Sequence, residues 1–109
     1  MNNSDYNRTV ARTILSQLGG NRFVAMTGAR QFVALEAPGL QFDLPARFAK
    51  SGINRIRIVL DPSDTYTVSA FTLCRRSFEC PEISSQSGVY CDMLESVFSE
   101  FTGLSTRIK

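Results

Sequence analysis

Apolar and polar residues alternate through the middle of this chain, from about Arg22 to Arg76, and recur at three- and four-residue steps on either side of it. These two periods predict strands in the centre and one amphipathic helix at each end. Val10, Ile14 and Leu18, with Ala11 and Leu15, share one stripe. That stripe predicts a helix over 5–18, capped by Asn3 or Ser4, with Asp5 favoured in the first turn by the helix dipole. Gly19-Gly20 ends it, because glycine readily takes the left-handed conformation at a C-cap.

The run 23–26 reads as a short first strand, 27–30 as a turn and 31–36 as a second strand. Pro38-Gly39 then suits a type II turn. A two-residue loop there sets Glu36 opposite Gln41, Leu35 opposite Phe42 and Val33 opposite Leu44, placing Val33, Leu35, Phe42 and Leu44 on one apolar face. Pro45 ends the third strand, and 46–52 is a connection with room for a helical turn.

A second hairpin follows. Ile56, Ile58 and Leu60 alternate with Arg55, Arg57 and Val59, and after the Asp61-Pro62-Ser63-Asp64 turn Tyr66, Val68 and Ala70 alternate with Thr65, Thr67 and Ser69. An even loop would mix the faces. An odd loop or bulge, with Asp64 in the left-handed region, sets Ile58 against Tyr66 and Ile56 against Val68. The stretch 75–87 reads as an exposed loop. The last helix is expected over 89–101, with Tyr90, Met93, Leu94, Val97, Phe98 and Phe101 as its apolar stripe and Gly103 as its stop.

The fold class expected is therefore α+β: a two-layer sandwich in which an antiparallel sheet of about five strands carries the N- and C-terminal helices on one face. All 109 residues form one domain, with flexible ends at 1–4 and 105–109.

Composition narrows the function classes. A chain that is 43% hydrophobic supports one core, and no apolar stretch approaches the roughly 18 residues of a membrane span. Met1-Asn2-Asn3-Ser4-Asp5 lacks the basic and apolar regions of a secretory leader, so a cytoplasmic location is expected. There is no His, and Cys74, Cys80 and Cys91 have no metal-ligand spacing. No metal or cofactor is expected, and the thiols are expected reduced, with a bridge across the loop between Cys74 and Cys80 left open. Asp61 and Asp64 are turn residues, and Cys91 has no His to act as its base, so no enzyme is expected.

Net charge is +2, but residues 1–76 hold ten Lys/Arg against five Asp/Glu, and ten of the twelve cations are arginine. Arginine offers a planar fork for phosphate or carboxylate and stacks on rings. The candidate binding face is the outer side of the second hairpin, where Arg55, Arg57, Thr65, Thr67 and Ser69 lie together with Phe71 on the same parity and Gln41 and Asp43 alongside. A solvated sheet face is written in the same residues. Arg75 and Arg76, beside Cys74, form a second basic spot on the loop.

The segments 14–23, 26–32 and 40–45, together with Asp64-Thr65-Tyr66, Gly88-Val89-Tyr90 and Phe101-Thr102-Gly103-Leu104, resemble a family of small bacteriophage, prophage and plasmid proteins. The resemblance runs from about Thr13 to Thr106 and brings no catalytic or binding residues with it. It implies a non-catalytic accessory protein of a mobile element. The function expected from it is inhibition by surface contact of a host factor, a host protein or nucleoprotein complex such as a CRISPR-type defence complex. Direct nucleic-acid binding through the arginine-bearing face is the alternative, and a structural or assembly role the third reading.

Overall fold

The computed structural model describes residues 4–45, 49, 52–74, 76–77 and 79–104. Of the flexible ends expected at 1–4 and 105–109, all but Ser4, which begins the first helix, lie outside the described residues, as do most of the 46–52 connection, Arg75 and the Ser4 side chain. Helix α1 (Ser4–Leu18) and helix α3 (Leu94–Thr102) lie on one face of a five-stranded antiparallel sheet. The strands are β1 (Arg30–Leu35), β2 (Gly39–Asp43), β3 (Arg55–Leu60), β4 (Tyr66–Phe71) and β5 (Glu82–Val89), paired in chain order. A short helix, α2 (Asn21–Thr27), joins α1 to the sheet.

Helix α1 follows its stripe: Val10, Ala11, Ile14 and Leu18 are buried and Leu15 packs against them. It ends where Gly20 N–H donates to the Leu15 carbonyl at 2.9 Å. The expected strand over 23–26 is instead helical, as α2. Four apolar residues fit a buried helix as well as a strand, and here the buried positions, Phe23 and Thr27, are one helical turn apart. The buried Thr27 hydroxyl donates to the Phe23 carbonyl at 2.8 Å and accepts from Ala29 N–H at 3.2 Å, while Gly28 takes the left-handed C-cap. The same device closes α3: Thr102 donates to the Phe98 carbonyl at 2.8 Å, accepts from Leu104 N–H at 3.1 Å, and precedes the left-handed Gly103. The repeated pattern Phe-x-x-x-Thr-Gly is the signal that identifies α2 as a helix.

In the first hairpin the loop has three residues, not two, since Leu35 pairs with Gly39 and Val33 with Gln41. Burial of Leu40, Phe42 and Leu44 decides which face of β2 meets the helices. Ala34 then falls opposite Leu40, and Phe32 lies 5.6 Å from Phe42 between ring centroids. Val33 is turned outward and is 47% exposed, so Val33 and Leu35 do not join the apolar face expected of them. An irregularity around Gln31, at φ 59°, shifts the register between Arg30 and Val33.

The second hairpin has the expected faces and a different register. Its loop is odd but five residues long, so Ile58 meets Val68 and Ile56 meets Ala70, with Leu60 opposite Tyr66. Asp61 N–H closes it on the Thr65 carbonyl at 2.8 Å, and Asp64 sits at φ 64°.

Residues 82–87, expected within an exposed loop, form with Gly88 and Val89 the edge strand β5. The Ser-rich sequence shows no apolar alternation because the strand is exposed along most of its length and is held by main-chain bonds to β4. The final helix is correspondingly shorter than expected. Val89 completes β5, Cys91–Met93 forms a 3₁₀ turn, and Tyr90 and Met93 are exposed rather than part of the stripe. Leu94, Val97 and Phe98 are buried, with Phe101 packed beside them. Phe23 stands edge-on to Phe42 at 5.4 Å and to Phe98 at 5.0 Å, joining α2, the sheet and α3 in one aromatic centre.

Candidate functional site

Because successive strands pair antiparallel, the outward residues fall into rows across the sheet. One row runs Val33, Gln41, Arg57, Ser69, Ser85, and the next runs Arg30, Asp43, Arg55, Phe71, Glu82. The structure therefore brings Arg55, Arg57, Ser69 and Phe71 together on the outer face, with Thr67 beside Val59 in a third row. Thr65 lies off this face, in the turn, sharing a hydrogen bond with Ser63 at 2.9 Å. Arg76 is an exposed turn residue in the 72–81 loop.

The polar groups at the centre of this face are engaged by neighbours, while the exposed side chains of Arg30 and Glu82 at the two ends of the second row have no hydrogen bond or ion pair among the described residues. Arg55 donates to both oxygens of Asp43, Nε at 2.8 Å and Nη2 at 3.3 Å. This pair is largely sheltered, with side chains 25% and 11% exposed, and the hydrogen bond to Asp43 holds the Arg55 guanidinium above its ordinary pKa. Arg57 donates to Gln41 Oε1 at 2.9 Å and 3.2 Å and lies 5.4 Å from the Phe71 ring centroid. Thr67 donates to Asp61 at 2.7 Å, and Ser69 and Ser85 share a hydrogen bond at 3.2 Å. Asn54 was missed by pattern reading. Its side-chain amide acts as a peptide group at the sheet's end, accepting from Leu73 N–H at 2.7 Å and donating to the Leu73 carbonyl at 3.0 Å.

These contacts separate the two arginines energetically. Arg55→Ala strands the sheltered Asp43 carboxylate and is expected to lower stability by about 1–3 kcal/mol. Arg57→Ala frees only an amide and is expected to cost less than about 1 kcal/mol. Urea unfolding of the two variants and of Asp43→Ala/Arg55→Ala checks this. The double variant should recover part of the Arg55→Ala loss.

The 72–81 loop is closed by Thr72 N–H to the Pro81 carbonyl at 3.2 Å and Cys74 N–H to the Glu79 carbonyl at 2.8 Å. All three cysteines are free. Hydrogen bonding from Ser77 lowers the pKa of the exposed Cys74 thiol. Since the thiolate is the nucleophile, the pH profile of Cys74 alkylation should have its midpoint below that of an ordinary thiol. Ser77→Ala should move that midpoint upward, which peptide mass mapping of iodoacetamide adducts against pH would measure.

A second surface lies on the helix side, where α1 meets β1. Ala11 and Leu15 of α1 face Phe32, Ala34 and Leu40 across an open apolar groove, and Arg8 and Arg12 stand at its rim. Both arginines are exposed, and neither has an ion-pair partner among the described residues. The sequence signal for this surface is Arg8 and Arg12 one helical turn apart beside the buried stripe.

Among the described residues no group of three or more Cys, Asp or Glu is placed to hold a metal ion, and no helix is long and apolar enough to cross a membrane. No family model, curated protein or solved structure matches the chain.

Proposed function

We propose that this chain is a non-catalytic protein-binding module of a phage or other mobile element, which inhibits a host factor, such as a CRISPR-type defence complex, by surface contact. The observation that carries the protein-binding part is the contrast between the two faces. The outer sheet face directs Arg55 and Arg57 onto Asp43 and Gln41. The α1/β1 side leaves apolar surface and two arginines without partners among the described residues. A phosphate backbone would have to displace internal contacts on the first surface, whereas a protein segment finds the second uncovered. The mobile-element and host-factor parts rest on the resemblance of segments such as 14–23 and 40–45.

The test is capture from a bacterial host lysate with and without nuclease. Retention of one host protein after nuclease, and loss of that protein's activity on adding the chain, is the expected result. Disappearance of every partner with nuclease would replace this reading with direct nucleic-acid binding. In that case Arg57→Ala should weaken binding for all sequences and lower the salt slope by roughly one unit.

A further inference from the structure

The geometry points to the β1 edge and its groove as the docking site for an extended, acidic segment of a partner protein, added to the sheet as a sixth strand. This rests on the protein-binding reading and names the surface and the partner's chemistry.

Strand β1 is the first in the sheet order, so its far side has no neighbouring strand among the described residues. Edge strands normally carry devices against pairing, such as charges, proline or an early bulge. Here the irregularity at Gln31 interrupts only the start, leaving Phe32, Val33, Ala34 and Leu35 as an uncharged edge with Phe32 38% and Val33 47% exposed. A chain laid along this edge alternates its side chains between the two sheet faces. On the helix side they enter the groove of Ala11, Leu15, Phe32 and Ala34, beneath Arg8 and Arg12.

Charge and spacing select the occupant. Four residues of helix rise separate Arg8 from Arg12 by about 6 Å, close to the roughly 6.6 Å between alternate residues of an extended chain. Two carboxylates at alternate positions therefore match the two guanidiniums, and an apolar side chain at the next inward position fills the groove. A nucleic acid has no peptide N–H and C=O groups to complete the edge ladder. A second copy is disfavoured by charge, because pairing β1 with β1 across a twofold brings the Arg8 and Arg12 sets of both copies to one seam.

The probe is a blocked heptapeptide with Glu at its second and fourth positions, Leu at its sixth and Thr elsewhere, titrated to millimolar concentration into the ¹⁵N-labelled protein. Amide shifts confined to Phe32–Leu35, together with shifts of the Arg8 and Arg12 Nε–H signals, are expected. Replacing each Glu by Gln should weaken binding roughly two- to fivefold per carboxylate, as for exposed ion pairs, and methylating the peptide nitrogens that face β1 should abolish it. Arg8→Glu/Arg12→Glu should lose the Glu peptide and gain the corresponding Lys peptide, which an effect on folding alone would not produce.

Absence of shifts at β1, equal binding of the Gln peptide, competition by a thymidine oligonucleotide, or a dimer that buries β1 would each overturn the assignment. Lysate capture separates the two levels. A host protein retained equally by the wild type and by Arg8→Glu/Arg12→Glu rejects this surface while the protein-binding reading stands. Retention of nothing removes that reading and the docking site with it.

Discussion

Ile58→Asp is expected to lower stability by at least about 4 kcal/mol, enough to unfold much of the population of an ordinary domain. Ile58 is 0% exposed, between Leu40 of β2 and Val68 of β4 on the helix side of the sheet. A carboxylate there has to be buried without a partner or taken up protonated, and either way the domain loses the apolar contacts of isoleucine. Its neighbour gives the opposite result. Arg57→Asp removes the bonds to Gln41 and the contact with Phe71, but the new charge stays in water, so a loss of about 1 kcal/mol is expected. Urea unfolding of both variants measures the difference, and equal losses would mean that the faces of β3 are interchanged.

Gly39→Ala is expected to cost about 3 kcal/mol or more, an unusually large effect for one added methyl. Gly39 pairs with Val59, and a Cβ built on it would overlap the Ile58 carbonyl oxygen and come within 2.9 Å of the Val59 Cα. Those are main-chain atoms of β3, so no rotamer change relieves the overlap and the strands must part. Gly88→Ala is the comparison: Gly88 has φ 68°, yet nothing lies within 4 Å of the added carbon. It carries only left-handed strain of about 1 kcal/mol. Thermal unfolding of the two variants should rank Gly39→Ala far below Gly88→Ala, and the reverse order would mean that β2 and β3 do not approach so closely.

What the sequence determined by itself is whatever local periodicity specifies. The α1 stripe, the inward parity of Ile56, Ile58, Tyr66, Val68 and Ala70, and the two-layer α+β class all follow from side chains whose spacing leaves one way to bury them. Glycines that stop helices, at Gly19-Gly20 and Gly103, were legible for the same reason, since the conformation required there is a property of one residue type. The candidate outer face was legible as a set of residues, because parity alone places Arg55, Arg57 and Ser69 together.

Only the tertiary structure decided the rest. Helix α2 depends on Phe23 meeting Phe42 and Phe98, a contact between distant segments that a four-residue apolar run does not encode. Strand β5 is held by main-chain bonds, which are blind to its serines. The turn of Val33 outward came from the burial of Leu40 and Phe42 under the helices together with the irregularity at Gln31. The same holds for function. An arginine's availability depends on what stands beside it, and only cross-strand pairing reveals that Asp43 and Gln41 occupy Arg55 and Arg57 while Arg8 and Arg12 rim an open groove. Periodicity specifies which way a side chain points, and packing decides what it meets.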